Sequence, residues 1–109
     1  MIRSEIDAIC VTFPGATLST PPEHDSWRVG DKMFVQFSGD VAAMSVKCPD
    51  IETATMLIDA GASHRAPYFH GSWVRLMYDE VPPDVAAHRL RVAYETIAAK
   101  LPRKIREAL

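Results

Sequence analysis

Three basic residues and one tryptophan occupy positions from which a single sheet surface can present them. Trp73 and Arg75 are two residues apart in an alternating segment, and Arg28 and Lys47 hold comparable positions in two earlier alternating segments. Alternate residues of a strand point to the same face, so these four side chains can share the face that helices leave uncovered. Guanidinium and ammonium groups pair with phosphate, and an indole ring stacks on a nucleobase. The pattern predicts a nucleic-acid-binding surface at Arg28, Lys47, Trp73 and Arg75.

The same alternation assigns further side chains to this surface. Gln36 and Ser45 are expected there, and Phe34 is a further candidate beside Trp73. The competing interpretation is that all of these are ordinary solvated residues of an antiparallel sheet. A formal net charge of -2 favours that interpretation, because the molecule as a whole does not attract a polyanion.

The histidines and carboxylates do not form a recognisable metal motif. His64 and His70 bracket a proline-containing segment, and a metal would need further ligands from distant positions such as His24 or Cys48. Structural zinc sites normally contain close ligand pairs, and an iron site would need a ridge of carboxylates that the helical segments do not supply. We predict no metal site and no cofactor.

A nucleophile for covalent catalysis is equally hard to identify. Ser72 lies two residues from His70, but this spacing is not a known motif, and Cys48 beside Lys47 would be reactive only if its thiol were exposed. The five glycines are scattered singly, so a phosphate-binding glycine loop is not predicted. No catalytic residue is predicted, and an enzymatic role is not expected.

Composition describes an ordinary small globular chain. Its 109 residues, 48% hydrophobic and 24% charged, predict one domain over 1–109. The sequence contains neither an apolar run long enough to cross a bilayer nor a signal-peptide pattern, so we expect a cytoplasmic protein with no membrane partner. In that reducing compartment Cys10 and Cys48 are expected to be free thiols.

Hydrophobic periodicity and turn residues predict an α+β fold with two layers. A helix, an antiparallel meander of about four strands, a second helix, one further strand and C-terminal helices follow in that order, with the helices on one face of the sheet. Ser4 and Asp50 are the predicted helix caps, and Gly30-Asp31 is a predicted tight turn. The predicted helices cover 4–12, 50–61, 82–101 and 103–109; the predicted strands cover 16–20, 26–29, 33–37, 42–48 and 73–78; residues 62–71 are predicted to form a surface loop.

Several short motifs, taken in order, resemble the signatures of the MmcQ/YjbR family. They extend over nearly the whole chain, and their order makes the resemblance specific although each one is short. One departure is that many members place His directly before the Trp of the last strand, whereas here Ser72 precedes Trp73. The motifs are Phe13-Pro14-Gly15-Ala16, the run from Trp27 to Phe34, Ser45-Val46-Lys47-Cys48-Pro49, Ala66-Pro67-Tyr68, Gly71, Trp73-Val74 and Leu101-Pro102-Arg103-Lys104.

The resemblance implies a two-layer sandwich similar to frataxin/CyaY or to secretion chaperones. Members are commonly described as candidate DNA-binding proteins with a double-wing arrangement, and no catalytic set accompanies the family. The leading hypothesis is therefore a non-enzymatic module that binds DNA or another nucleic acid through the open sheet face and the loop at 62–72. The alternative is a protein-interaction or chaperone-like adaptor without nucleic-acid affinity, and a third hypothesis is a small-ligand pocket between that loop and the sheet. The sequence does not determine the oligomeric state.

Overall fold

A computed structural model describes residues 1–22 and 24–109 of the protein. Glu23, which belongs to the predicted connection before the second strand, lies outside the described residues. The described residues form four helices and six strands. The helices are α1 (Arg3–Cys10), α2 (Ile51–Asp59), α3 (Pro83–Ala98) and α4 (Arg103–Glu107), and the strands are β1 (Thr17–Ser19), β2 (Ser26–Val29), β3 (Lys32–Phe37), β4 (Ala43–Lys47), β5 (His64–Arg65) and β6 (Trp73–Met77).

The strands form one antiparallel sheet in the order β1-β2-β3-β4-β6-β5. The first four strands are a meander and β6 pairs with β4, which confirms the predicted α+β architecture. The prediction that residues 62–71 contain no regular element is wrong at one point. His64 and Arg65 form a short edge strand, paired in register with Arg75 and Val74. A strand of two residues is too short to show alternation in the sequence, so β5 can be recognised only from its pairing with β6.

The turn between β2 and β3 is the tight hairpin that the sequence predicts. Gly30 and Asp31 both have positive φ, at 54° and 63°, which is the backbone geometry that matches the twist of two adjoining strands. Gly30 also lies under the side chain of Leu101, because an added Cβ atom would come within 2.7 Å of it. A side chain at this position would therefore require the Leu101 side chain to shift, in addition to the strain of the positive φ.

A β-bulge in β3 changes the expected orientation of one aromatic residue. Trp27 pairs with Val35 but Arg28 pairs with Met33, so Phe34 is the additional residue of β3. A bulge places two consecutive side chains on similar sides of the strand. Phe34 and Val35 are consequently both fully buried in the core. The expectation that Phe34 lies on the open face with Trp73 is wrong for this reason.

The helix ends agree with the predicted signals except at the first one. Asp50 caps α2 by accepting the Thr53 amide at 2.7 Å, and Gly61 follows the helix with a φ of 76°. Ser4, in contrast, lies inside α1 rather than before it. The N-cap is Ile2, two residues before the predicted cap, and the Glu5 carboxylate accepts the Ile2 amide at 2.9 Å, which satisfies a free donor at this end.

The core lies between α3 and one face of the sheet. The buried stripe of α3, with Leu90 and Ala93 at its centre, lies over the two central strands, β3 and β4, and shares one core cluster with Val35 and Val46. Cys10 and Cys48 are free and buried. No helix of the described residues is long and apolar enough to cross a membrane.

The sheet face turned away from α3, which we term the open face, carries the alternate residues of each strand.

Candidate functional site

A row of polar side chains crosses the open face at the middle of the sheet. Residues paired in register point to the same face of a sheet, so this row can be read from the pairing of successive strands. Adjacent strands are about 4.8 Å apart, which makes the distance from β3 to β6 roughly 10 Å. The row consists of Ser26, Gln36, Ser45, Arg75 and His64, from β2, β3, β4, β6 and β5 respectively.

The segment between β5 and β6, residues 66–72, lies beside this row and borders a pocket that is open to solvent on one side. We call this segment the β5–β6 loop. The pocket has a volume of about 750 Å³, and the sheet supplies its floor. One wall comes from the loop and the other from His24 and the turn after β3. The lining residues are Gln36, Phe37, Ser45 and Arg75 from the sheet, Pro67, Tyr68 and Phe69 from the loop, and His24, Ser38, Gly39 and Asp40 from the opposite wall.

Arg75 is the cation on the floor of the pocket. Its Nε is buried and has no hydrogen-bond partner among the described residues. A buried donor without a partner costs free energy, and such groups are rare in folded proteins. The buried Nε is not accessible from the pocket, but Arg75 is only partly buried and lines the pocket floor. Guanidinium groups donate to anions and to nucleobase oxygens, so Arg75 is suited to binding a ligand there.

Trp73 lies next to Arg75 on the open face and is half-buried. Its ring packs against Phe69 of the β5–β6 loop, with ring centroids 4.6 Å apart and planes inclined by 31°. One side of the indole is therefore already in contact with the protein. Trp73 holds the loop in place, and only its remaining surface is accessible to a ligand.

Lys47 lies opposite Trp73 in register, and its ammonium group donates a hydrogen bond to the Ser72 hydroxyl. The same hydroxyl is 2.8 Å from Nδ1 of His70, so one buried serine connects the strand to the loop. Burial, with a smaller effect from the charge of Lys100, lowers the pKa of Lys47. The ammonium group of Lys47 thus anchors the end of the loop as well as adding positive charge to the open face.

Arg28 lies on the open face but further from the pocket. Its Nε donates to the Ser26 hydroxyl at 3.2 Å, and its Nη1 donates to the Asp31 carbonyl at 3.4 Å. With two strands between β2 and β6, Arg28 is roughly 14 Å from Trp73 across the sheet. The structure places Lys47, Trp73 and Arg75 together beside the loop, whereas Arg28 extends the basic surface towards the hairpin.

Tyr68 is a pocket residue that the sequence analysis placed in the loop and in a family motif but did not select as a site residue. It has a left-handed backbone with a φ of 68°, and its side chain is fully exposed at the rim of the pocket. Pro67 beside it predicted a turn, but a left-handed tyrosine has no signature in the sequence. Bulky residues rarely adopt this conformation, which costs roughly 1–2 kcal/mol.

The histidines of this region have partners of their own. His64 Nε2 is 2.6 Å from a carboxylate oxygen of Glu80, with both side chains exposed, and His70 bonds Ser72 as described. Within residues 1–22 and 24–109, His, Cys, Asp and Glu side chains do not gather in groups of three or more that could hold a metal ion.

These features define a class of small two-layer α/β sandwiches with a polar open sheet face covered in part by a loop. Comparison with known proteins then identifies the family. The model of the YjbR family matches residues 11–96, and the chain belongs to this family. The comparison with curated proteins gives no match.

A solved structure supports the same fold. The crystal structure of Deinococcus radiodurans protein DR2400, whose domain is described as DUF419, superposes with a TM-score of 0.85 at 19% sequence identity. The match covers 97% of this chain and 86% of that one. At this identity the similarity establishes the architecture, and the chemistry of the open face has to be argued from the residues of this chain.

Proposed function

We propose that this protein is a non-enzymatic binding module that holds nucleic acid on its open sheet face. The observation that carries the proposal is the position of Arg75, a cation in the floor of a pocket that has Gln36 and Ser45 beside it and aromatic residues in one wall. Phosphate oxygens are strong acceptors for guanidinium, and Lys47 and Arg28 continue the positive charge along the same face. The net charge of -2 does not oppose this, because charges more than about 10 Å apart are largely screened at physiological salt.

The proposal is tested by the binding of fluorescently labelled oligonucleotides over a salt series from about 50 to 200 mM. Replacing Arg75 with Ala should weaken binding to all sequences and reduce the salt slope by about one phosphate contact. The matched control is Lys104→Ala, which removes one positive charge from the exposed α4 helix. If Arg75→Ala is folded and binds like the control, or if the wild type shows no salt-sensitive binding, the open face does not bind nucleic acid.

A protein-interaction adaptor is the second candidate function. Ile51 and Met56 on α2 are 52% and 62% exposed, and they border a depression flanked by the carboxylates of Glu52 and Asp59. This combination of apolar and acidic side chains complements a basic amphipathic segment of a partner protein. A synthetic lysine-rich amphipathic peptide should then bind the wild type and bind Met56→Ser more weakly. Binding of the oligonucleotides together with indifference to the peptide would reject this candidate.

A further inference from the structure

We infer that the pocket beneath the β5–β6 loop receives one unpaired nucleotide, so that the protein binds single strands in preference to duplexes. In this arrangement Tyr68 stacks on the base and Arg75 pairs with the phosphate of the same nucleotide. The inference rests on the proposed function and adds the unit of recognition to it. The inference is based on the position of Tyr68, which is a separate observation from the basic residues of the open face.

The first step concerns the exposure of Tyr68. Its side chain is 105% exposed, so its ring buries no surface against the rest of the described chain. The unfavourable left-handed backbone is therefore not compensated by packing of the ring. An exposed aromatic ring that a strained backbone holds at a pocket rim is arranged for contact with a ligand.

The second step concerns the rigidity of the loop that carries Tyr68. The next residue, Phe69, packs on Trp73, and the Phe69 amide donates to the Ala66 carbonyl at 3.4 Å. At the end of the loop, Ser72 is held by Lys47 and contacts His70. Contacts on both sides of Tyr68 therefore fix its backbone, and a ring presented in this way loses little conformational entropy when a base stacks on it.

The third step concerns the size and chemistry of the pocket. A volume of about 750 Å³ lies in the usual range for a small-ligand site and accommodates a nucleotide. Arg75 offers donors to a phosphate, and Gln36 and Ser45 offer donors and acceptors to a base or sugar. Asp40 is a carboxylate in the lining and would repel a second phosphate, but it can accept a bond from an amino or hydroxyl group. The lining therefore suits one phosphate combined with one heterocycle.

Selectivity for single strands follows from the stacking step. A base can stack on Tyr68 only if its face is free, and in a duplex both faces are covered by neighbouring base pairs. Single strands expose bases without this penalty, whereas a duplex would have to unstack first. A free nucleotide has the same chemistry as one unit of a strand, so the experiment includes both sources.

The experiment compares anisotropy titrations of a 12-nucleotide single strand and of its duplex, with adenosine monophosphate as competitor. The informative variant is Tyr68→Asn, because asparagine tolerates the left-handed backbone and lacks the ring. It should weaken single-strand binding about tenfold or more and leave duplex binding unchanged. Tyr68→Phe should bind like the wild type. The matched control Val11→Asn, which removes another exposed apolar side chain at the end of α1, should also bind like the wild type.

The outcomes separate this inference from the function on which it rests. Equal affinity for single strand and duplex, or an unchanged affinity of folded Tyr68→Asn, overturns the nucleotide pocket while a lowered salt slope in Arg75→Ala still supports the open face. If neither Tyr68→Asn nor Arg75→Ala changes the binding of the oligonucleotides, both proposals are overturned. Competition by the mononucleotide at concentrations similar to those of the strand supports the pocket and assigns it to free nucleotides. Competition only at much higher concentrations supports the pocket and assigns it to strands, and no competition at all overturns it. Thermal melting of each variant verifies that it is folded.

Discussion

At the scale of single residues, local placement of charge matters more than the net charge. The chain has 12 basic and 14 acidic residues, which by itself argues against a polyanionic ligand. Yet Arg28, Lys47 and Arg75 all lie on the open face, and the carboxylate of Asp40 is confined to the pocket wall after β3. Interactions at short range depend on this arrangement, because salt screens the more distant charges.

The two tryptophans should respond differently to a soluble quencher. Trp27 is 5% exposed and its indole N–H donates to Asp7 at 2.8 Å, whereas Trp73 is half-buried at the pocket side of the sheet. Acrylamide should therefore quench the fluorescence of Trp73, measured in Trp27→Phe, more strongly than that of Trp27, measured in Trp73→Phe. Complete protection of Trp73 would show that the open face is covered in solution.

Both cysteines should be unreactive in the native protein. Burial, with a smaller effect from the carboxylate of Asp7, raises the pKa of Cys10 to about 12, and burial also raises the pKa of Cys48. The thiolate is the reactive form, so at pH 8 very little of it is present. A chromogenic disulfide reagent should label neither thiol under native conditions and both in guanidinium chloride. Rapid labelling of the native protein would contradict the buried positions.

At the scale of elements, the bulge in β3 decides which side chains reach the open face. Regular alternation along β3 would place Phe34 on the side opposite to Val35. The additional residue brings both into the core, where the Phe34 ring lies at 5.6 Å from that of Tyr94 in an edge-to-face contact. The open face loses an aromatic residue in this way, so the aromatic rings that remain at the pocket and beside it include Trp73 of β6 and Tyr68 and Phe69 of the β5–β6 loop.

The helix α3 should depend on one leucine at the centre of its buried stripe. Leu90 is fully buried in the core cluster between α3 and the sheet. Replacing Leu90 with Ala leaves a cavity and should lower the free energy of unfolding by about 2–5 kcal/mol. Urea denaturation measures the loss, and Val85→Ala, at an exposed position of the same helix, is the control with an expected change well below 1 kcal/mol. A loss for Leu90→Ala no larger than that of the control would contradict the packing of α3.

The cap of α2 should make stability depend on pH in a defined direction. The Thr53 amide donates to the Asp50 carboxylate and lowers the pKa of that group below its usual value. A carboxylate whose pKa is lower in the folded state stabilises the fold above the unfolded pKa of about 4, and this contribution is lost as the pH falls through the folded value.

Urea denaturation of the wild type and of Asp50→Ala at a series of pH values tests this linkage. The difference in unfolding free energy should be complete at pH 7 and should shrink below roughly pH 4. Asp50→Asn retains an acceptor without a charge, so this variant should not show that pH dependence. A difference between wild type and Asp50→Ala that stays constant down to pH 2 would show that the cap does not titrate.

At the scale of the whole molecule, the fold is expected to be independent of metal. The core cluster joins α1, α2, α3 and the sheet through apolar side chains, and the described residues bring no metal-ligand group together. Treatment with EDTA should leave the melting temperature unchanged, since metal binding contributes to stability only where a site exists. A fall of several degrees that added zinc or iron reverses would reveal a site.

The sequence by itself determines most of the elements of this protein, because their signals are local. Alternation predicts β2 and β6, the Gly30-Asp31 pair predicts the hairpin, and Asp50 with Gly61 marks the ends of α2. Each of these depends on backbone preferences and side-chain spacing within a few residues. The same local alternation places Trp73 and Arg75 on one face, so part of the candidate site is also predictable.

Only the tertiary structure decides how these elements meet and therefore where the pocket lies. The edge strand β5 exists through its pairing with β6, and the bulge that buries Phe34 exists through the pairing of β2 with β3. Lys47 reaches Ser72, which is 25 positions away in the chain, because β4 and β6 are neighbours in the sheet. That contact and the stacking of Phe69 on Trp73 hold the loop over Arg75 and turn Tyr68 outward. Such arrangements are set by contacts between distant segments, whose free energies depend on the packed core and leave no periodic pattern in the chain.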